Sequence, residues 1–224
     1  MKVLVLCGGE GVRLKPLTDD IPKPLVQIRG KPLLEHVVSH FRKNGYSDFV
    51  FAIGYKGDKI RDYFNGRRDI YTDYVDSGNA EIPKRILDSK DKLSEEFIVL
   101  YGDTIADVDI KALLDFHKKH KGWATITTYP MQSPFGLVFS DSLGRITEFK
   151  EKPVMDYWMN IGFMVLNKKA LDLIKKDDTL MSFFDRLMEK GMLFEYKHRG
   201  KHITVNTEKE KSDAEMQMDE FYTE

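Results

Sequence analysis

Three glycines, an arginine and a lysine within the first 25 residues are the part of this chain best suited to chemistry. Residues 3–6 (Val-Leu-Val-Leu) form a short apolar run, the pattern of a strand buried on both faces of a parallel sheet. Leu6 ends that run and leads into Cys7-Gly8-Gly9-Glu10-Gly11-Val12-Arg13. Glycines let backbone N–H groups approach a polyphosphate closely. Arg13 and Lys23, the latter within Pro22-Lys23-Pro24, bring two counter-charges to the same region. The loop is not a dinucleotide fingerprint, because Leu14 stands where the third glycine would fall. Nor is it a Walker-type loop, since no Gly-Lys-Ser/Thr run exists in the chain. A tight turn after a strand would account for the glycines alone; with the two cations added, the segment reads as a phosphate cradle.

A second feature is Tyr101-Gly102-Asp103, which follows the apolar run at 97–100. An acid just past the carboxyl end of a buried strand sits where open α/β sheets bind their ligands, although an aspartate there also serves as a plain helix cap.

Positioning such groups takes a sheet, and the chain has room for one. Its 224 residues suffice for one sizeable α/β domain. The 35 Lys and Arg against 36 Asp and Glu leave a formal net charge of -1, so no basic excess points to nucleic acid. The single cysteine, Cys7, excludes an internal disulfide and suits a reducing compartment. No histidine lies near it in sequence, and packing is the better reading than nucleophilic chemistry. No apolar stretch approaches the ~18 residues of a membrane span, and no signal-peptide pattern is present; a cytoplasmic protein without membrane contact is expected.

The elements alternate. Strands are expected at 3–6, 49–53, 71–75, 97–101, 124–129, 161–166 and 193–196. Helices are expected at 33–44, closed by Gly45, and at 58–64, 83–88, 110–120, 168–175, 180–190 and 211–222. A hairpin pairs 136–139 with 146–149 around Asp141-Ser142-Leu143-Gly144. This order implies a doubly wound, mostly parallel sheet. With no Gly/Pro/Ser-rich linker and no repeat, 1–224 reads as one domain.

The opening segment, Leu6-Cys7-Gly8-Gly9-Glu10-Gly11-Val12-Arg13-Leu14-Lys15-Pro16-Leu17-Thr18 with Pro22-Lys23-Pro24 and Gly30-Lys31-Pro32, resembles the signature of the sugar-1-phosphate nucleotidyltransferases, also called nucleotide-sugar pyrophosphorylases. It departs from that signature at Val12, where the family usually has Thr. Within the family the chain is most similar to glucose-1-phosphate cytidylyltransferases. That likeness runs through Gly54-Tyr55-Lys56-Gly57, Tyr101-Gly102-Asp103, Asp107-Val108-Asp109-Ile110, Phe116-His117, Ala124-Thr125, Phe135-Gly136, Met159-Asn160-Ile161-Gly162-Phe163 and Gly191-Met192-Leu193 with Tyr196 and His198.

The resemblance implies a single-domain, Rossmann-like three-layer α/β sandwich with a mostly parallel mixed sheet, its nucleotide-binding half at about 1–109 and its sugar-phosphate half at about 110–224. It implies Mg²⁺ as cofactor, a nucleoside triphosphate and a sugar 1-phosphate as ligands, and a homo-oligomer as an open question, since relatives are often dimers or larger. Carried over residue by residue, Arg13 and Lys23 would be catalytic. Leu6, Gly8, Gly9, Gly11, Asp76 and Gly102 would bind nucleotide. Gly136, Glu151, Lys152 (in Glu151-Lys152-Pro153) and Asn160 would bind sugar phosphate, although a charged pair before a proline is also ordinary surface loop. Asp103 and Asn206 would hold the metal. In most of the family an aspartate occupies the position of Asn206, while the N-acetylglucosamine-1-phosphate uridyltransferase branch also has Asn; a turn residue is the other reading of it.

One region departs from the cytidylyltransferase pattern. Those proteins carry Thr-Gly-Gly-Arg after Val-Asp-Thr-Gly, whereas this chain has Val75-Asp76-Ser77-Gly78 and then Ile82-Pro83-Lys84-Arg85. Pro83 has no N–H to donate, and Lys84 adds bulk and charge. This leaves two alternatives beside CTP and glucose 1-phosphate: the same chemistry with GTP or UTP, or a non-catalytic nucleotide-sugar-binding regulatory subunit.

Overall fold

The structure, a computed structural model, describes residues 1–222, with side chains through Met218. The strands are β1 (Val3–Leu6), β2 (Gln27–Ile28), β3 (Lys31–Pro32), β4 (Asp48–Ile53), β5 (Tyr71–Asp76), β6 (Glu96–Tyr101), β7 (Thr104–Ala106), β8 (Ala124–Gln132), β9 (Leu137–Ser140), β10 (Ile146–Lys150), β11 (Val154–Asn167), β12 (Leu193–Lys197) and β13 (His202–Thr204). The helices are α1 (Leu33–Lys43), α2 (Gly57–Phe64), α3 (Ile82–Asp88), α4 (Ile110–His120), α5 (Leu180–Glu189) and α6 (Glu208–Tyr222).

Seven strands form the central sheet in the order β12-β8-β11-β6-β1-β4-β5. Every neighbouring pair is parallel except those made by β11, which runs antiparallel to both β6 and β8. The sheet explains the unbroken apolar runs. Side chains alternate between faces along a strand, so Val3 and Val5 enter one core with Leu34, Val37 and Phe41 of α1, Ile60 of α2 and Leu113 of α4. Leu4 and Leu6 enter the other, with Ile86 of α3 and Phe183, Phe184 and Leu187 of α5. Two helical layers therefore cover one sheet, giving the expected three-layer α/β sandwich. Asp109 caps α4, its carboxylate accepting from Ala112 N at 2.9 Å, and α1 closes into Gly45 at φ +86°, as its sequence required.

Four local differences from the sequence reading have physical causes. The expected helix at 168–175 is a 3₁₀ segment, Lys168–Leu173. It stops where Arg186 Nε of α5 takes the Leu173 carbonyl at 2.8 Å. β11 is 14 residues long, not six; its outer half pairs with the end of β8 (Trp158↔Pro130, Val154↔Gln132) but is largely exposed, so no burial pattern marks it. The ladder of β7 with β13 (His202↔Ala106, Thr204↔Thr104) joins segments too short to show periodicity. α6 begins at Glu208, three residues earlier than 211. There Glu210 N donates to Thr207 Oγ1 at 3.1 Å, and the Glu210 carboxylate accepts from Asn206 N at 2.7 Å.

Candidate active site

The β7–β13 ladder brings two distant segments together. Asp103 immediately precedes β7 and Asn206 follows β13 by two residues, so the antiparallel register sets them side by side at one end of the ladder. Lys23 lies between them, its Nζ 2.6 Å from Asp103 Oδ2 and 3.0 Å from Asn206 Oδ1. Arg13 Nη2 donates to the same Asn206 oxygen at 3.0 Å. Lys23 and Arg13 each sit in a short 3₁₀ turn, Lys23–Leu25 and Val12–Leu14, and prolines flank Lys23 on both sides. Their backbones are thereby held, and both side chains converge on Asn206 Oδ1.

Two clefts meet at this cluster. One, of 270 Å³, is lined by Leu6, Gly9, Gly11 and Pro24 as well as the four polar residues. The other, of 330 Å³, is lined by Tyr101, Thr104, Met159, Asn160 and His202 with the same four. Arg13, Lys23, Asp103 and Asn206 form their shared wall. Two cations against one carboxylate leave the wall net positive, ready for anionic oxygens.

The donor set also fits a divalent metal. Asp103 and Asn206 aim hard oxygen atoms at a single cation, the Lys23 ammonium. One carboxylate and one carbonyl suit Mg²⁺, which takes few protein ligands and fills the rest with water and phosphate oxygens. Among the described residues no group of three or more His, Cys, Asp and Glu is placed to hold a metal by itself, so substrate oxygens would have to complete the sphere.

Other expected site residues lie apart from the wall. Gly102 is buried behind it; a Cβ there would come within 2.8 Å of Cys7 Sγ. Burial and the nearby Asp103 charge push the Cys7 thiol well above its ordinary value, in keeping with a packing residue. Asp76, exposed at the end of β5, accepts from Gly78 N at 2.9 Å. Gly136, Glu151 and Lys152 belong to the β9–β10 arm and line neither cleft. At Gly136 a Cβ would meet Phe149 Cζ at 2.7 Å and Glu151 Oε2 at 2.9 Å. Lys152 adopts φ +43° and its carbonyl accepts from Gln132 Nε2 at 3.0 Å.

Gly8 has a different task from Gly9 and Gly11. Its missing Cβ makes room for Arg85, whose Nη1 would be 1.7 Å from that atom. Arg85 is buried and donates to four backbone carbonyls: Ala80 at 2.8 Å, Ile53 at 3.2 Å, Gly8 at 3.2 Å and Gly78 at 2.9 Å. One guanidinium thus ties together the loops that follow β1, β4 and β5. Nothing in the local sequence of α3 marks Arg85 as buried. Pro83 is buried in the first turn of α3, where a missing N–H is harmless, and Lys84 is exposed and paired with Asp88. The Gly-Gly-Arg of the resembling family was the available signal for Arg85. His202 was also missed: its Nε2 is buried without a partner, and burial together with His198 lowers its pKa to about 4, so the ring in the second cleft is neutral.

Comparison with known proteins identifies the family. The model of the nucleotidyl transferase family matches residues 2–201. The chain belongs to that family. Among nucleotidyl transferases, it is 34% identical to the glucose-1-phosphate cytidylyltransferase of Salmonella typhi, over 94% of this chain and 93% of that protein. It is 32% identical to the mannose-1-phosphate guanyltransferase of Aspergillus fumigatus, over 94% of this chain but 62% of that one. In fold it is similar to HddC from Yersinia pseudotuberculosis, with a TM-score of 0.76 at 23% identity, covering 97% of this chain and 99% of the other.

Proposed function

We propose that this nucleotidyl transferase joins a nucleoside triphosphate to a sugar 1-phosphate, releasing pyrophosphate, and that its pair is CTP and glucose 1-phosphate. The observation that carries the reading is the shared wall: two clefts, one glycine-lined, meet at Arg13, Lys23, Asp103 and Asn206, as two ligands joined through phosphate require. An oxygen of the sugar phosphate attacks the α-phosphorus; the new P–O bond forms as the bond to the β-phosphate bridging oxygen breaks, and pyrophosphate leaves with that electron pair. A phosphate monoester is already nucleophilic at neutral pH, so no general base is needed, and alignment with charge neutralisation supplies the rate. Arg13 and the Gly9–Gly11 backbone hold the triphosphate, and Lys23 sits at the junction where it can reach both the α-phosphate and the attacking phosphate. Bound at Asp103 and Asn206, Mg²⁺ would neutralise charge on the α-phosphate. Asn160 lines the cleft assigned to the sugar, and Gly136, Glu151 and Lys152 are assigned to the sugar phosphate by the family resemblance.

CTP is favoured over other triphosphates because the Salmonella typhi cytidylyltransferase corresponds over nearly both full lengths, while the guanyltransferase is matched over 62% of its own. Pro83 packed in the first turn of α3 and Lys84 directed outward are compatible with that reading. Pyrophosphate release with Mg²⁺ is to be measured across four triphosphates and several hexose 1-phosphates. A single strong entry for CTP with glucose 1-phosphate is expected. A strong entry with another triphosphate overturns the base assignment, and no release from any pair overturns the reaction.

A further inference from the structure

The two oxygens that fit a metal already have cationic partners within the chain. Lys23 Nζ contacts both Asp103 Oδ2 and Asn206 Oδ1, at 2.6 and 3.0 Å, and Arg13 Nη2 contacts the same Asn206 oxygen at 3.0 Å. A carbonyl oxygen has two lone pairs, so these two donors satisfy Asn206 completely. The charges point the same way. Asp103 contributes one negative charge and the amide of Asn206 none, so Lys23 alone balances the oxygen pair and Arg13 leaves an excess. A dication added to this wall would meet two positive charges at close range.

We propose that Lys23 and a divalent metal are mutually exclusive occupants of the Asp103–Asn206 oxygen pair, and that the metal gains the pair only when a polyphosphate draws the Lys23 and Arg13 side chains onto its own oxygens. The proposal rests on the nucleotidyl-transfer reading for the identity of that polyphosphate. The local build allows the exchange. Pro22 and Pro24 hold the backbone on either side of Lys23, so a swing of its flexible stem is enough. Asn206 is held by its own N–H on Glu210 at 2.7 Å and stays in place as its partner changes. The neutral amide is what makes the swap decisive, since an aspartate would leave the pair with a second negative charge and room for a metal beside the lysine.

The test needs no substrate. Mn²⁺ is titrated into the full chain in the absence of nucleotide, with free Mn²⁺ read by electron paramagnetic resonance, for wild type, Lys23→Met and Asn206→Asp. Wild type is expected to bind weakly, and both variants about tenfold more tightly or better, as expected when a like charge is removed or an opposite one added a few ångströms away. Adding Asp103→Asn to Lys23→Met should abolish the gain, locating it at this pair. Wild-type binding as tight as in both variants overturns the proposal, as does a gain that survives Asp103→Asn. If Lys23→Met does not fold, Lys23→Gln takes its place, because it also removes the competing charge and keeps a polar end; a gain in Asn206→Asp alone is expected on any account and does not decide. Failure here leaves pyrophosphate release untouched, and an inactive enzyme leaves this titration untouched, so the two readings fail separately.

Discussion

Replacing Gly8 by alanine will destabilise the fold, and most of that cost will vanish if Arg85 is removed first. The backbone itself tolerates alanine, since Gly8 is not among the positive-φ glycines. The obstacle is the guanidinium: the new Cβ would lie 1.7 Å from Nη1, 2.4 Å from Cζ and 2.8 Å from Nη2 of Arg85. The end of the side chain would have to leave its slot, breaking its bonds to the Ile53, Gly8 and Gly78 carbonyls. Hydrogen bonds to charged groups contribute roughly 1.5 kcal/mol or more each to stability, so Gly8→Ala should cost about 4 kcal/mol. Arg85→Met forfeits these three bonds and the one to Ala80, and should cost about as much or somewhat more. In the double variant the alanine methyl enters space already vacated, so the total should stay near about 4 kcal/mol rather than reach about 8. Urea unfolding of the four proteins gives the coupling energy directly. Costs that simply add would refute the argument that one guanidinium fills the glycine's empty corner.

Arg13→Ala should lower kcat/KM for pyrophosphate release by roughly 10²-fold, as for a preorganised electrostatic group, with thermal stability nearly unchanged because the side chain is exposed. His117 is buried, with Nδ1 2.7 Å from Thr125 Oγ1, and burial followed by the neighbouring His120 lowers its pKa to about 4. Its neutral form belongs to the fold, so its contribution is complete above the ordinary histidine value and is lost as pH falls from about 6.5 to about 4, by up to about 3 kcal/mol. His117→Gln should flatten that part of the stability profile in chemical unfolding. Cys7, buried with its thiol pushed up, should resist iodoacetamide until the protein unfolds, and Cys7→Ala should leave kcat unchanged; ready alkylation of the native protein would contradict this.

Much of the sheet was legible because both its faces are covered: runs such as 49–53 and 97–101 have no polar alternation and read as buried strands wherever they occur. The two sides of the shared wall were legible in another way, through Arg13 and Lys23 beside glycines and Asp103 after a strand. What joins them was not. The β7–β13 ladder has three residues on each side, too few for a period, and Asn206 enters the wall only through it. Arg85 escaped for a related reason. Nothing in a local window tells a surface arginine in a helix from one whose guanidinium reaches across to three loops. The outer half of β11 was missed because it is neither buried nor alternating, and periodicity records burial, not hydrogen bonding.

β11 also bears on how such a protein diversifies. Its inner residues, Ile161–Leu166, are sealed in the core, whereas 154–160 run outward toward the β9–β10 arm. The two stretches meet at Asn160 and Gly162, where the pairing with β8 shifts register, Gly162 takes φ +77° and the Asn160 side chain accepts Gly162 N at 2.9 Å. A substitution beyond this joint changes an exposed stretch leading to the β9–β10 arm and leaves the buried residues of the same strand untouched. Selection can therefore rework the outer stretch residue by residue without a compensating change in the core, a separation of evolvable surface from fixed interior along one continuous strand.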